Sequence, residues 1–200
     1  MVNRFHILLV NPACQDTRIT DDDAAHVPIG LYYIAALLKH HHFEVSLLNL
    51  AETPESHIQR FADCIENTAV DLVGFSLTNP SRRSAVECAG ICKQTYPDVP
   101  VVFGGPAATF LSDHLFRVCP ALDIIVPREG EHPLLELARA LAADKNADLR
   151  KIDGLLLRRG DEIVSTPAGT PVGDLDSLAH PSDYYSFNHV AMSRGCPGRC

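Results

Sequence analysis

Asp71-Leu72-Val73-Gly74-Phe75-Ser76-Leu77-Thr78-Asn79-Pro80 is the stretch from which the fold is read. Its first half is a short apolar run, the pattern of a strand buried on both faces. Its second half turns polar and ends at a proline, which cannot continue a central strand. A helix follows from Ser81 to Tyr96, with Ala85, Cys88, Ala89 and Cys92 at core spacing. Pro100 to Phe103 is another apolar run, closed by Gly104-Gly105-Pro106. Strand, helix and strand within about thirty residues make a βαβ unit, whose two strands are parallel.

The same alternation extends both ways. Upstream, Phe5 to Val10 is a buried strand ending at Asn11-Pro12, followed by an Asp-rich loop from Gln15 to Asp23. Pro28-Ile29-Gly30 opens a helix with Leu31, Ile34, Ala35 and Leu38 on one face, and His40-His41-His42 reads as its solvated end. Glu44 to Leu50 is a strand, and Glu55 to Asn67 a helix that turns Ile58, Phe61, Ala62 and Ile65 inward. Downstream, Ala107 to Val118 holds a short helix, Ile124 to Val126 a fifth strand, and Leu134 to Ala143 a fifth helix. Five strands alternating with five helices predict an α/β fold. The expected form is a flavodoxin-like or Rossmann-like doubly wound, five-stranded parallel sheet in the order 2-1-3-4-5.

After Asp148 the pattern changes. Leu155 to Arg159 and Glu162 to Ser165 read as a β-hairpin with Gly160-Asp161 in its turn. A Pro/Gly-rich crossing and a linker run on to Phe187, and Val190 to Ser193 reads as one more strand. The expected organisation is a Rossmann-like domain over 1–150, a hairpin and linker over 151–187, and the opening strand and cysteine loop of a following unit over 188–200.

A net charge of −8 argues against nonspecific nucleic-acid binding, and no apolar run approaches the length of a membrane span. The N-terminus lacks the form of a secretion signal. Seven scattered cysteines, an odd number, point to a reducing compartment, and the cytoplasm is the expected location.

Open parallel sheets bind ligands beyond the carboxyl ends of their strands. Here those loops are Asn11 to Arg18, Ser76 to Pro80, Gly104 to Pro106, and Glu129 to His132. Gly104-Gly105 permits positive φ and close approach of backbone to a ligand, and Ser76 and Thr78 offer hydroxyls. No Gly-x-Gly-x-x-Gly follows the first strand, and no Gly-Lys-Ser/Thr phosphate loop occurs. At the far end, Ser193-Arg194-Gly195-Cys196-Pro197-Gly198-Arg199-Cys200 places two thiols four positions apart beside two arginines that favour the thiolate. That spacing alone suits an iron–sulfur cluster, a zinc knuckle or a disulfide.

Ser-Arg-Gly-Cys-Pro-Gly-Arg-Cys resembles the start of the CxxxCxxC motif of radical S-adenosylmethionine (SAM) enzymes. The resemblance implies that Cys196 and Cys200 are two of three ligands of a [4Fe-4S] cluster that also binds SAM. The third cysteine is expected three residues beyond Cys200, with a partial (β/α) barrel following. The upstream half is similar to the cobalamin-binding domain that precedes the barrel in many such enzymes. The matching pieces are Pro28-Ile29-Gly30-Leu31, Ser76-Leu77-Thr78, Gly104-Gly105-Pro106, Arg128-Glu129-Gly130-Glu131 and Asp174-Leu175-Asp176-Ser177-Leu178.

The cofactor-binding residues that this resemblance implies are Asp16, Arg18, Ser76, Leu77, Thr78, Gly104, Gly105, Pro106, Glu129 and Gly130. No residue is assigned a catalytic role. Domains that ligate cobalt through histidine carry Asp-x-His-x-x-Gly after the first strand, whereas this sequence has Asp16-Thr17-Arg18-Ile19-Thr20. An arginine keeps its proton, so no protein histidine is expected on cobalt. The implied chemistry is radical-mediated methyl transfer or a related carbon–carbon bond-forming reaction on a small-molecule substrate, with a reductant protein such as flavodoxin or ferredoxin. Cys14-Gln15 after the first strand also resembles a motif of methylthiotransferase-type radical SAM proteins, the first alternative. A non-catalytic small-ligand-binding module is the second.

Overall fold

The computed structural model describes residues 5–15, 28–186 and His189. Five parallel strands occur in it: β1 His6–Asn11, β2 Glu44–Asn49, β3 Leu72–Ser76, β4 Val101–Gly104 and β5 Ile124–Ile125. The helices between them are α1 Ile29–His40, α2 His57–Asn67, α3 Arg82–Thr95, α4 Gly105–Phe110, α5 Ser112–Val118 and, after β5, α6 Glu131–Ala143. The expected fourth helix is therefore two short ones. It breaks at Leu111, whose φ of −121° and ψ of 23° leave the helical region. Ala107 and Ala108 in the first piece and Leu115 and Phe116 in the second all face the core.

The sheet corrects the expected strand count. Among the described residues it has seven strands in the order β2-β1-β3-β4-β5-β6-β7, so 2-1-3-4-5 is the parallel part of a longer, mixed sheet. The hairpin strands β6 Leu156–Arg159 and β7 Glu162–Ser165 pair antiparallel to each other, and β6 pairs antiparallel with β5. The physical reason is the open edge that β5 would otherwise present, a row of unpaired backbone groups. The turn is two residues long, with Gly160 at φ +62°, as a tight hairpin requires.

Alternation along each strand divides the core in two. Leu8, Val10, Val73, Phe75, Val101 and Phe103 face α2, α3, α4 and α5, where Phe61, Phe75 and Phe103 stack ring to ring at 5.7 and 5.5 Å. Ile7, Leu9, Leu72, Val102 and Ile124 face α1 and α6, meeting Leu31, Ala35, Leu38, Leu137 and Ala138. Both faces are covered, which is why the strands read as continuous apolar runs. His6, at the amino end of β1, spends its ring nitrogens on the Ala69 carbonyl and the Ser46 hydroxyl, each at 2.9 Å.

Candidate cofactor cavity at the strand ends

Near the carboxyl ends of the strands, the α1/α6 face of the sheet runs out of side chains. Lower on this face stand Leu72 on β3 and Val102 on β4. One and two steps of alternation further along come Gly74 and Ser76 on β3, and Gly104 on β4. Ser76 and Gly104 are neighbours in the sheet register. The missing volume is a cavity of about 340 Å³ between the sheet, α1 and α6. Leu9, Leu31, Ile34, Val102, Val126 and Leu134 give it an apolar wall, and Gly30, Gly74, Gly104 and Gly130 give it bare backbone.

The two glycines after β4 play different parts. Gly105 has φ +85°, and a Cβ there would meet the Leu77 carbonyl oxygen at 2.8 Å and its nitrogen at 2.9 Å. Gly104 corrects the expectation for the pair, because its φ of −135° and ψ of −172° are ordinary extended values. A Cβ at Gly104 would have Val126 O as its nearest neighbour, at a comfortable 3.6 Å. Leu77 donates its N–H to Gly104 O at 2.8 Å and accepts from Ala107 N at 3.0 Å, tying the two loops together.

Ser76, Gly104, Gly105, Pro106, Glu129 and Gly130 are brought together around this one cavity. Leu77 and Thr78 are not among its lining. Leu77 is buried in the opposite half of the core, and exposed Thr78 forms a turn with Ser81, its N–H donating to Ser81 Oγ at 3.1 Å. Asp16, Arg18, Cys196 and Cys200 lie outside the described residues, as does the Val190–Ser193 strand.

Sequence reasoning missed several contributors. Gly74 and Ile34 were read only as strand and helix core. The signal that finds Gly74 is the period-two alternation, which puts it on the same face as Ser76. Arg128 takes φ +62°, and its N–H is held by Thr109 Oγ1 at 2.8 Å. It stands with Glu129 between the cavity and a neighbouring hollow of about 440 Å³ lined by Phe110, Pro127, Leu155 and Pro167. Glu129 Oε2 accepts the Val172 N–H at 2.7 Å, fastening the linker to the cavity rim.

Gln15, four residues past the end of β1, donates its two amide hydrogens to His57 Nε2 at 3.0 Å and Glu87 Oε2 at 3.1 Å. His57 Nδ1 lies 2.6 Å from the Pro54 carbonyl, to which it donates, so Nε2 is left to accept. This bracket holds the Gln15 side chain between the start of α2 and α3.

Cys88, Cys92 and Cys119 are buried, and desolvation pushes their thiols up to about 12, about 11 and about 11. Among the described residues no three His, Cys, Asp or Glu side chains converge on a metal-sized site. No helix among them is long and apolar enough to cross a membrane.

The family model of the B12 binding domain matches residues 19–138. An uncharacterized methyltransferase of Pyrococcus horikoshii is 30% identical over 97% of this chain and 44% of its own length. The anaerobic magnesium-protoporphyrin IX monomethyl ester cyclase of Cereibacter sphaeroides is 29% identical over 84% of this chain and 30% of its own. The chain thus spans less than half the length of either relative. Among solved structures, the radical SAM methyltransferase TsrM of Kitasatospora setae, with cobalamin and a [4Fe-4S] cluster bound, superposes with a TM-score of 0.70. It does so at 24% identity over 82% of this chain and 31% of that one. The cobalamin-dependent SAM radical enzyme OxsB, with aqua-cobalamin and SAM bound, gives 0.69 at 17% identity over 85% and 23%. These two likenesses establish the fold.

Proposed function

Since the chain belongs to the B12 binding domain family, we propose that the cavity between the sheet, α1 and α6 takes the nucleotide tail of cobalamin. The observation that carries this is the bare-backbone, apolar slot that Gly74, Ser76 and Gly104 open on one face of the sheet. A flat aromatic base needs apolar walls and close backbone, which Ile34, Val126 and Leu134 and the glycines supply. Ser76 offers a hydroxyl beside the slot, and Gly105 and Leu77 hold its edge rigid. In this reading Asp16 and Arg18, which follow β1 in the sequence, are assigned to the cobalt end, and Arg18 stands where the Asp-x-His-x-x-Gly pattern has its ligating histidine.

The whole protein is proposed to be a cytoplasmic radical SAM enzyme that acts on a small molecule and draws electrons from a flavodoxin- or ferredoxin-like partner. Residues 1–150 form its cofactor domain and 151–187 its hairpin and linker. Residues 188–200 start the catalytic barrel, with Cys196 and Cys200 as ligands of a [4Fe-4S] cluster. Bound cobalamin would supply a cobalt centre that carries and releases a methyl group. The methyltransferase name of the Pyrococcus relative and the cyclase name of the Cereibacter relative support methyl transfer or a related ring-forming reaction. The methylthiotransferase reading needs clustered upstream cysteines, but Cys64 and Cys88 lie within α2 and α3 and Cys119 just after α5.

The test is equilibrium titration of the chain with hydroxocobalamin and with cobinamide, which lacks the nucleotide tail. One hydroxocobalamin per chain and at least about tenfold weaker cobinamide binding are expected, the loss of one buried aromatic group. Equal affinities would remove the tail from the cavity. No binding by a folded chain would leave the non-catalytic module.

A further inference from the structure

Helix α1 is held on two sides. One side lines the cavity through Gly30, Leu31 and Ile34, and Ile34 Cδ1 lies 3.1 Å from where a Cβ on Gly130 would stand. The other side carries the linker. Tyr32 meets Tyr185 edge to face at 5.4 Å, Tyr33 meets His180 at 5.9 Å, and Lys39 Nζ lies 4.5 Å above the Tyr185 ring. His40 Nδ1 and the Tyr184 hydroxyl are 3.1 Å apart. The same linker is pinned to the cavity rim where Glu129 accepts the Val172 N–H. Tyr185 buries its hydroxyl with no hydrogen-bond partner among the described residues, and desolvation pushes it up to about 12. An unpaired buried hydroxyl opposes seating, so it is the ring that holds Tyr185 in place.

We propose that residues 172–185 are a strap, pinned at Glu129 and along α1, that couples occupancy of the cavity to the seating of this linker on α1. A ligand that packs against Leu31 and Ile34 stabilises the position of α1 that the strap also grips. Coupling of this kind is reciprocal: whatever factor strap seating contributes to ligand affinity, the ligand returns to strap seating. The inference rests on the reading of the cavity as a cobalamin site. Tyr185 is a positioning residue in it: it packs against the core between the sheet, α1 and α6 and is not itself among the residues that line the cavity.

The test measures amide exchange over residues 172–185 in the whole chain, with and without saturating hydroxocobalamin, for the natural sequence, Tyr185→Ala and Tyr185→Phe. Hydroxocobalamin affinities are measured alongside. Without ligand, Tyr185→Ala should speed exchange across the strap, while Tyr185→Phe, which keeps the ring, should not. Hydroxocobalamin should slow strap exchange in the natural sequence. Tyr185→Ala should bind it about threefold to tenfold more weakly, the range expected for losing one aromatic contact, and Tyr185→Phe should bind it normally. Binding that leaves strap exchange unchanged, or equal affinity in Tyr185→Ala, overturns the coupling and spares the cavity reading. Failure of the natural chain to bind hydroxocobalamin overturns the cavity reading itself, and the coupling with it.

Discussion

At residue scale, Gly104 and Gly105 are neighbours with opposite obligations. Gly105→Val forces a β-branched side chain into left-handed backbone and against the Leu77 main chain. It should cost about 1–3 kcal/mol or more in urea denaturation. Gly104→Val meets no such backbone conflict, because its backbone is extended and its Cβ would have its nearest neighbour 3.6 Å away. It should keep most of the stability yet fill the slot, so hydroxocobalamin binding should drop at least about tenfold. Equal destabilisation by both, with binding intact in Gly104→Val, would contradict this division. The Gly-Gly-Pro loop was legible in the sequence because glycine pairs at strand ends mark close backbone approach. Which glycine carries the positive φ was not, since that depends on where Leu77 lies. Gly74 was illegible for another reason: inside an apolar run a glycine reads as core, and only its register against Gly104 and Ser76 makes it a cavity floor.

The buried thiols give a second prediction at this scale. Cys88, Cys92 and Cys119 ionise in the unfolded chain near pH 9 but in the folded chain only at about 11 to 12. A raised folded value means that the folded state keeps protons the unfolded state has lost. Their stabilising contribution is complete below pH 9 and is lost as pH rises from 9 through about 11 to 12. Unfolding free energy should fall by up to about 1.4 kcal/mol per pH unit for each thiol in that window. Urea titrations from pH 8 to 11 check it, and a variant with alanine at all three positions should show a shallower slope.

At the scale of elements, the added hairpin hangs on Arg158. Its Nε donates to Leu122 O at 2.8 Å, and its Nη2 to Phe116 O at 2.6 Å and Cys119 O at 3.0 Å. The guanidinium also lies 5.1 Å from the Phe116 ring centre. It thereby satisfies the Phe116 carbonyl in the last turn of α5, and it adds a second donor to Cys119 O, which also accepts the Leu122 N–H. Arg158→Met keeps the stem and removes the donors, and should cost about 1.5–3 kcal/mol. Faster amide exchange should be confined at first to β6, β7 and the end of α5. A loss spread evenly over the sheet would contradict the assignment. The hairpin itself was legible, from two short runs around Gly160-Asp161. Its docking on β5 was not, because β5 pairs through only Ile124 and Ile125 and because an arginine in a hairpin reads as solvent-facing. The break at Leu111 was equally hidden, since Ala107 to Val118 has no proline or glycine inside it to announce one.

At the scale of the whole molecule, the parallel order was legible because alternating strands and helices leave few right-handed solutions. The cavity follows from that order, since α1 and α6 fall on one face and small residues meet them there. The tie between linker and cavity was not legible, because Glu129 to Val172 and Tyr32 to Tyr185 are long-range contacts between segments without periodicity. The central claim is that the nucleotide tail lies in this slot, pulled away from cobalt, with no protein histidine in its place. Electron paramagnetic resonance of the chain loaded with cobalt(II) cobalamin tests it most directly. The claim predicts cobalt hyperfine lines without nitrogen splitting, because neither the cofactor's own base nor an imidazole is on the metal. Triplet splitting from an axial nitrogen, in a chain that binds one cobalamin, would contradict it.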